Sequence, residues 1–199
     1  LIALALLPLP LFAQDSTPDN FTEVKFMTRG YCHAGSKIKD RTALGGFASS
    51  GNFPKTLAGD LKHEKGKIQL IAQPESVTKF RGKKGMRLFL VNATGETVPF
   101  QASDSRLNLF QEALDKDGKW KPVEYLPSSF CGNSRHRVML PAGECWEFAS
   151  PRYKGPFQTR LRFRLGEITS NEFKGSIHPD QFQVKGGHRP TNLMDPYND

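Results

Sequence analysis

Thr159-Arg160-Leu161-Arg162-Phe163-Arg164-Leu165 alternates strictly between polar and apolar side chains. Successive side chains of a β-strand leave on opposite faces, so a period of two sends Leu161, Phe163 and Leu165 into a core and lines up Arg160, Arg162 and Arg164 on the other side. A helix would scatter the same residues around its circumference. The stretch therefore predicts a half-buried strand in a sheet with one wet face.

Outward from this strand, short runs rich in Val, Ile, Leu and aromatic residues recur at 67–72, 86–92, 107–114, 120–125, 136–140, 145–149, 157–165 and 181–184, bounded by Gly, Pro, Asn and Asp. Two connections read as hairpins. Asp115-Lys116-Asp117-Gly118 places Gly where a type I turn followed by a bulge needs a positive φ, and Pro141-Ala142-Gly143-Glu144 does the same between Val138-Met139-Leu140 and Cys145-Trp146-Glu147-Phe148. Consecutive antiparallel pairs with no crossover helix of ~10 residues predict an all-β fold, a two-layer antiparallel β-sandwich of Ig-like topology.

This sandwich domain is expected over residues 63–188. Residues 14–62 carry Gly, Ser, Pro, Lys and scattered aromatics without periodicity and read as an irregular, extended or partly disordered segment whose phenylalanines dock on the domain. Residues 189–199 read as a surface tail. Residues 1–13 are almost wholly apolar and end in Leu11-Phe12-Ala13, the pattern of a signal peptide cleaved before Gln14, and Pro8 and Pro10 argue against a buried helix there. With neither Met nor a positive n-region ahead of it, the run reads as the interior of a longer leader. No other stretch approaches the ~18–20 apolar residues of a membrane span, and the first cysteine is Cys32, so neither a transmembrane segment nor a lipid anchor is expected. A secreted or periplasmic protein follows.

Lys and Arg number 28 against 20 Asp and Glu, a formal charge of +8. A basic exported surface favours an anionic polysaccharide or cell-surface component over nucleic acid. Arg160, Arg162 and Arg164, about 7 Å apart along one strand face, match the charge repeat of an extended polyanion. The more ordinary reading pairs them with acids on neighbouring strands. Arg106, in Ser103-Asp104-Ser105-Arg106, and Arg135 and His136, at the end of the loop 126–136, join them as candidate ligand-binding residues at strand ends. Asp104 and Arg106 read as an ion pair. Of the three cysteines, Cys145 is expected opposite Leu140 in a hairpin, which leaves Cys32 and Cys131 to form a disulfide.

Catalytic chemistry finds little support. A triad of Ser134 or Ser129 with His136 and Asp104 lacks any Gly-x-Ser-x-Gly elbow, and no catalytic residue is assigned. Histidines and cysteines lack metal-ligand spacing, and no glycine loop has a phosphate-cradling context, so neither metal nor cofactor is expected. Glu112, Glu124, Glu144 and Glu147 fall on strands or strand ends with no pair placed across a cleft. Trp120, Tyr125, Trp146 and Tyr153 read as core packing before a sugar platform. The expectation is a non-catalytic binding domain for anionic or glycan surfaces. Its alternatives are a protease inhibitor presenting the 126–134 loop and a small extracytoplasmic hydrolase using His136.

Overall fold

The computed structural model describes residues 20–127 and 132–184. The leader 1–13, Cys131, Ser129 and the tail 189–199 lie outside the described residues. In chain order the strands are β1 (Thr28–Arg29), β2 (Lys55–Thr56), β3 (Ile68–Phe80), β4 (Lys83–Asn92), β5 (Val98–Ser103), β6 (Arg106–Leu107), β7 (Leu109–Leu114), β8 (Trp120–Pro122), β9 (Glu124–Tyr125), β10 (Arg135–Leu140), β11 (Glu144–Pro151), β12 (Phe157–Leu165), β13 (Ile168–Thr169) and β14 (Phe173–Ile177). The chain is all-β, and its described residues form three antiparallel sheets, none of them closed into a barrel. They run β2-β11-β4-β3, β10-β5-β6, and β13-β12-β7-β8 with β14 also on β12. A parallel pair, β1 with β9, sets Thr28 beside Glu124 and Arg29 beside Tyr125.

Strand β12 has the alternation expected of it: Leu161, Phe163 and Leu165 are buried and the arginines between them are not. The Asp115–Gly118 turn joins β7 to β8 as an antiparallel pair, with Gly118 at φ 73°. The second expected hairpin is corrected. Gly143 has the positive φ, 71°, but β10 pairs with β5 while β11 pairs with β4 and β2. The cause is Asn92, fully buried at the end of β4, whose Nδ2 donates to Leu140 O (2.8 Å) and whose carbonyl accepts from Gly143 N (2.9 Å). The turn is thereby stitched to the other sheet, and the chain crosses over instead of folding back. Cys145 consequently lies opposite Val91 and Lys55, not Leu140. The expected Cys32–Cys131 disulfide is not found: Cys32 and Cys145 are free and buried, and Cys131 is outside the described residues.

Strands β5 and β14 were not foreseen, because Pro99 interrupts one pattern and Gly175 the other. Conversely, the run 181–184 is no strand: Pro179–Phe182 forms a single 3-10 turn capped by His178. In β4, Leu88 and Leu90 enter the main core, while Phe89 and Val91 pack with Leu61 and Cys145 on the opposite side. This strand is buried on both faces, so its burial runs unbroken from Leu88 to Asn92. The main core joins Leu70, Met86, Leu90 and Trp146 of one sheet to Phe100, Leu107, Val138 and Phe163 of the others. Trp146 is fully buried and donates Nε1–H to Gly35 O (2.9 Å), which fastens the irregular segment to the core. Cys32 and Ala34 of that segment belong to the same cluster.

Gly155 meets β14 so closely that a Cβ would lie 2.2 Å from the Ile177 carbonyl carbon and 2.3 Å from His178 N, whereas nothing lies within 4 Å of a Cβ on Gly95. Overpacking against backbone allows no side-chain escape. Gly155→Ala is expected to cost about 3 kcal/mol or more in urea unfolding. Gly95→Ala should stay within about 0.5 kcal/mol of the parent, and equal effects at the two sites would contradict this packing.

Candidate functional site

The arginine row is accounted for within the fold. Arg162 Nε and Arg164 Nε donate to the two oxygens of one carboxylate, Glu112, at 2.8 and 3.0 Å. Arg160 Nη1 pairs with Glu172 at 2.6 Å. The Arg162 guanidinium also lies 4.1 Å from the centroid of the Trp120 ring. Glu112 is nearly buried and stands opposite Arg162 on β7, so a polyanion reaching this face competes with a resident carboxylate.

The other candidates scatter. Arg106 is buried and donates Nη2 to Pro127 O (3.0 Å), while Asp104 accepts from Ala48 N (3.0 Å); the expected Asp104–Arg106 ion pair is absent. Asp104 and Ser105, at φ 49° and 62°, form the two-residue turn between β5 and β6, and Ser105 Oγ also ties to Ala48, donating to its carbonyl (2.8 Å). Their sequence reads as a tight turn that clamps the irregular segment. Arg135 is exposed at the start of β10. His136 is buried beneath Phe47, the two rings stacked at 3.7 Å, with Nδ1 at 3.1 Å from Ser134 O and Nε2 at 3.5 Å from Ser105 Oγ. Asp104 does not orient it. A hollow of about 460 Å³ beside His136 is lined by Asp40 and Arg137, which neutralise each other, Arg137 holding the Asp40 carboxyl far below its ordinary range.

A different cavity, of about 340 Å³, gathers three cations. Val24, Phe26, Met27 and Phe80 form apolar walls, Thr28, Tyr31 and Tyr153 supply hydroxyls, and Arg29, Arg81 and Lys83 also line it, with no acid among the described lining residues. Neither Arg81 nor Lys83 has a carboxylate within ion-pair distance among the described residues. Arg81 and Gly82, at φ 49° and 77°, are the two-residue turn of the β3–β4 hairpin. That turn type suits Asn, Asp or Gly, so an arginine there is a conformational strain of about 1 kcal/mol.

Behind the cavity lies Glu124, fully buried in the β1–β9 pair. Its Oε1 accepts from Tyr153 Oη–H (2.8 Å) and its Oε2 from Gln111 N–H (2.9 Å). Thr28 Oγ1 makes a short hydrogen bond to Tyr153 Oη, and Tyr31 Oη bonds Ser150 Oγ. Burial pushes the Glu124 carboxyl up to about 7, against the opposing pull of Tyr153, Gln111 N–H and Tyr31. Burial and then the nearby Glu124 raise the phenols of Tyr31 and Tyr153 and the Cys32 thiol well above their ordinary values. His33 is lowered by burial and further by Arg106, Arg29 and Arg81, which records how closely these cations gather. The sequence signal for this site was an acid inside the apolar run Val123-Glu124-Tyr125-Leu126. Its hydroxyl partners come from positions too distant in sequence to be associated with it.

Among the described residues no three of His, Cys, Asp and Glu come together as a metal site, and no helix is long and apolar enough to cross a membrane. Comparison with protein-family models, characterised proteins and solved structures finds no match.

Glu112→Ala leaves two half-buried guanidinium groups without their carboxylate and is expected to destabilise by about 3 kcal/mol, while Glu172→Ala, at an exposed pair, should cost under about 1 kcal/mol; denaturant curves of both variants check the contrast. For Glu124 burial lifts the folded-state pKa above the ordinary carboxyl value of 4.5. Stability is therefore fully present below about pH 4.5 and falls by roughly 3 kcal/mol as pH rises to about 7. Glu124→Gln should flatten that part of the pH–stability profile, and an unchanged slope would rule out Glu124 as its source.

Proposed function

We propose that this chain is a non-catalytic, extracytoplasmic binding domain whose ligand is a small amphipathic anion, and that its sheets stack as an Ig-like two-layer sandwich around the core. The observation that carries the ligand reading is the 340 Å³ cavity, apolar in its walls, supplied with hydroxyls and lined by Arg81 and Lys83, neither of which has a carboxylate within ion-pair distance among the described residues. Pockets for small molecules are mostly apolar with a few convergent polar groups, and a charge-assisted hydrogen bond to an arginine or lysine orients an acidic head. The apolar walls favour a ligand with a hydrocarbon or aromatic body over a free inorganic ion. Export is supported by the apolar leader, and a basic surface by the formal charge of +8.

The expectation of an anionic partner is thus kept, but its place moves from the strand face to the cavity. Arg160, Arg162 and Arg164 hold Glu172 and Glu112, whereas Arg81 and Lys83 hold no carboxylate among the described residues. Arg81 also retains a strained backbone in a turn where asparagine would be relaxed, which supports a role for its side chain outside the turn itself.

The test uses 8-anilinonaphthalene-1-sulfonate, a fluorescent aromatic monoanion, displaced by decanoate. Saturable binding at one site and displacement by decanoate are expected. Arg81→Asn should bind the probe several-fold more weakly while raising thermal stability by about 0.5–1 kcal/mol through the turn. Absence of saturable binding, or equal affinity in parent and Arg81→Asn, would defeat the reading.

A further inference from the structure

We infer that an anion entering this cavity draws one proton onto Glu124, and that the coupling runs through a reversal of the hydrogen-bond chain Glu124–Tyr153–Thr28. The inference rests on the anion-binding reading above and assigns its regulation.

The chain has a direction. With Glu124 ionised, both carboxylate oxygens are acceptors only, so Tyr153 Oη–H donates to Oε1 at 2.8 Å. The phenol proton is then committed, and the short contact between Thr28 Oγ1 and Tyr153 Oη requires Thr28 to be the donor. Thr28 lines the cavity, but in this state its single proton faces the protein and only its lone pairs are available to a ligand. A lone pair repels an anion.

Adding one proton to Glu124 reverses each step. The carboxyl O–H donates to Tyr153 Oη, the Tyr153 hydroxyl donates to Thr28 Oγ1, and the Thr28 hydroxyl is released to donate into the cavity. No hydroxyl changes its charge, one proton is taken up, and it resides on Glu124. Two effects then favour the bound anion: a donor replaces an acceptor, and the negative charge three hydrogen bonds away is removed from a buried, low-dielectric setting.

The groups around Glu124 leave it as the one able to titrate in this range. Tyr31, Tyr153 and Cys32 face it and are held neutral well above their ordinary values, Gln111 contributes only its backbone N–H, and Thr28 and Arg29 come from the paired strand. Arg81 lies close enough to act on Tyr153. His33, beside Arg29, Arg81 and Arg106, is lowered by burial and by those cations, which favours its neutral form. Glu124 itself, at about 7, is divided between its two forms near neutral pH.

The experiment measures the affinity of 8-anilinonaphthalene-1-sulfonate, whose sulfonate keeps its charge, between about pH 6 and about pH 8.5. Calorimetry in phosphate and in Tris counts protons taken up. For the parent, affinity should fall about tenfold across this range, with net proton uptake near neutrality. Glu124→Gln should bind with nearly constant affinity and no uptake. Thr28→Val should fold normally, lose affinity at the acid end and keep at most a shallow slope. A flat parent profile, or a slope and uptake that persist in Glu124→Gln, overturns the coupling while the binding reading stands. A full slope in Thr28→Val overturns the relay. No saturable binding at any pH overturns the binding reading and the coupling with it, which separates that failure from the others.

Discussion

The double-sided burial of β4 organises the rest of the molecule. A strand at the centre of a sheet completes its backbone hydrogen bonds with two neighbours, here β3 and β11, but a run such as Leu88-Phe89-Leu90-Val91 also needs apolar cover above and below. Strands of the other sheets cover one face. The opposite face is closed by Leu61 with Leu57, from the segment that precedes β3. That requirement turns a stretch with almost no regular secondary structure into part of the packed fold, and Trp146, Cys32 and Ala34 carry the same attachment deep into the main core. Cys32, Ala34, Leu57 and Leu61 thereby hold parts of this segment in place, and its strand β1 forms one wall of the cavity.

Glu124 inverts the usual economy of such a core. An isolated buried carboxylate is costly, and proteins normally pair it with a cation. Here the partners are neutral donors, Tyr153 and the Gln111 N–H, with Tyr31 close by, while the cations stand at the cavity edge. Hydrogen bonds without a counter-charge offset only part of the desolvation, so the carboxyl rests near its midpoint at neutral pH instead of fully ionised. A cationic partner in place of Tyr153 would have fixed the charge and removed the sensitivity. The hydroxyl network leaves the group poised between forms that differ little in energy.

Legibility in the sequence followed the range of the interactions. The period of β12 and the turn at Asp115–Gly118 are local, set by residues a few positions apart, and both are found in the structure. The Pro141–Glu144 turn is equally local and is present as a turn, yet the pairing of its flanking strands is not local, since Asn92 decides where they go from nearly fifty residues upstream. Strand β5 was hidden by Pro99 and β14 by Gly175, which packs where any Cβ would strike Leu161. The candidate site was least legible. Thr28, Tyr31, Arg81, Glu124 and Tyr153 come from four separate places in the chain, and no spacing rule relates them. Arg160, Arg162 and Arg164 are conspicuous for the opposite reason, standing at alternate positions of one strand, and their pairing with acids on neighbouring strands is the ordinary reading, although Glu112 and Glu172 are too remote in sequence to be named as the partners.

The distribution of the positive charge then becomes a physical argument about recognition. A surplus of basic residues says nothing of where an anion goes; what matters is which cations lack a local partner and whether low-dielectric walls concentrate their field. On the β12 face the guanidinium groups are pinned between Glu112, Glu172 and the Trp120 ring, so their field is largely cancelled at short range. At the tip of the β3–β4 hairpin, Arg81 and Lys83 overlook apolar side chains that expel water and strengthen the attraction. The same low dielectric that strengthens them raises Glu124, so attraction for an anion and readiness to take up a proton arise from one burial. Opening the cavity to solvent, by truncating Met27 or Phe80, weakens both together, whereas altering Arg81 touches the attraction and leaves the carboxyl nearly as it was.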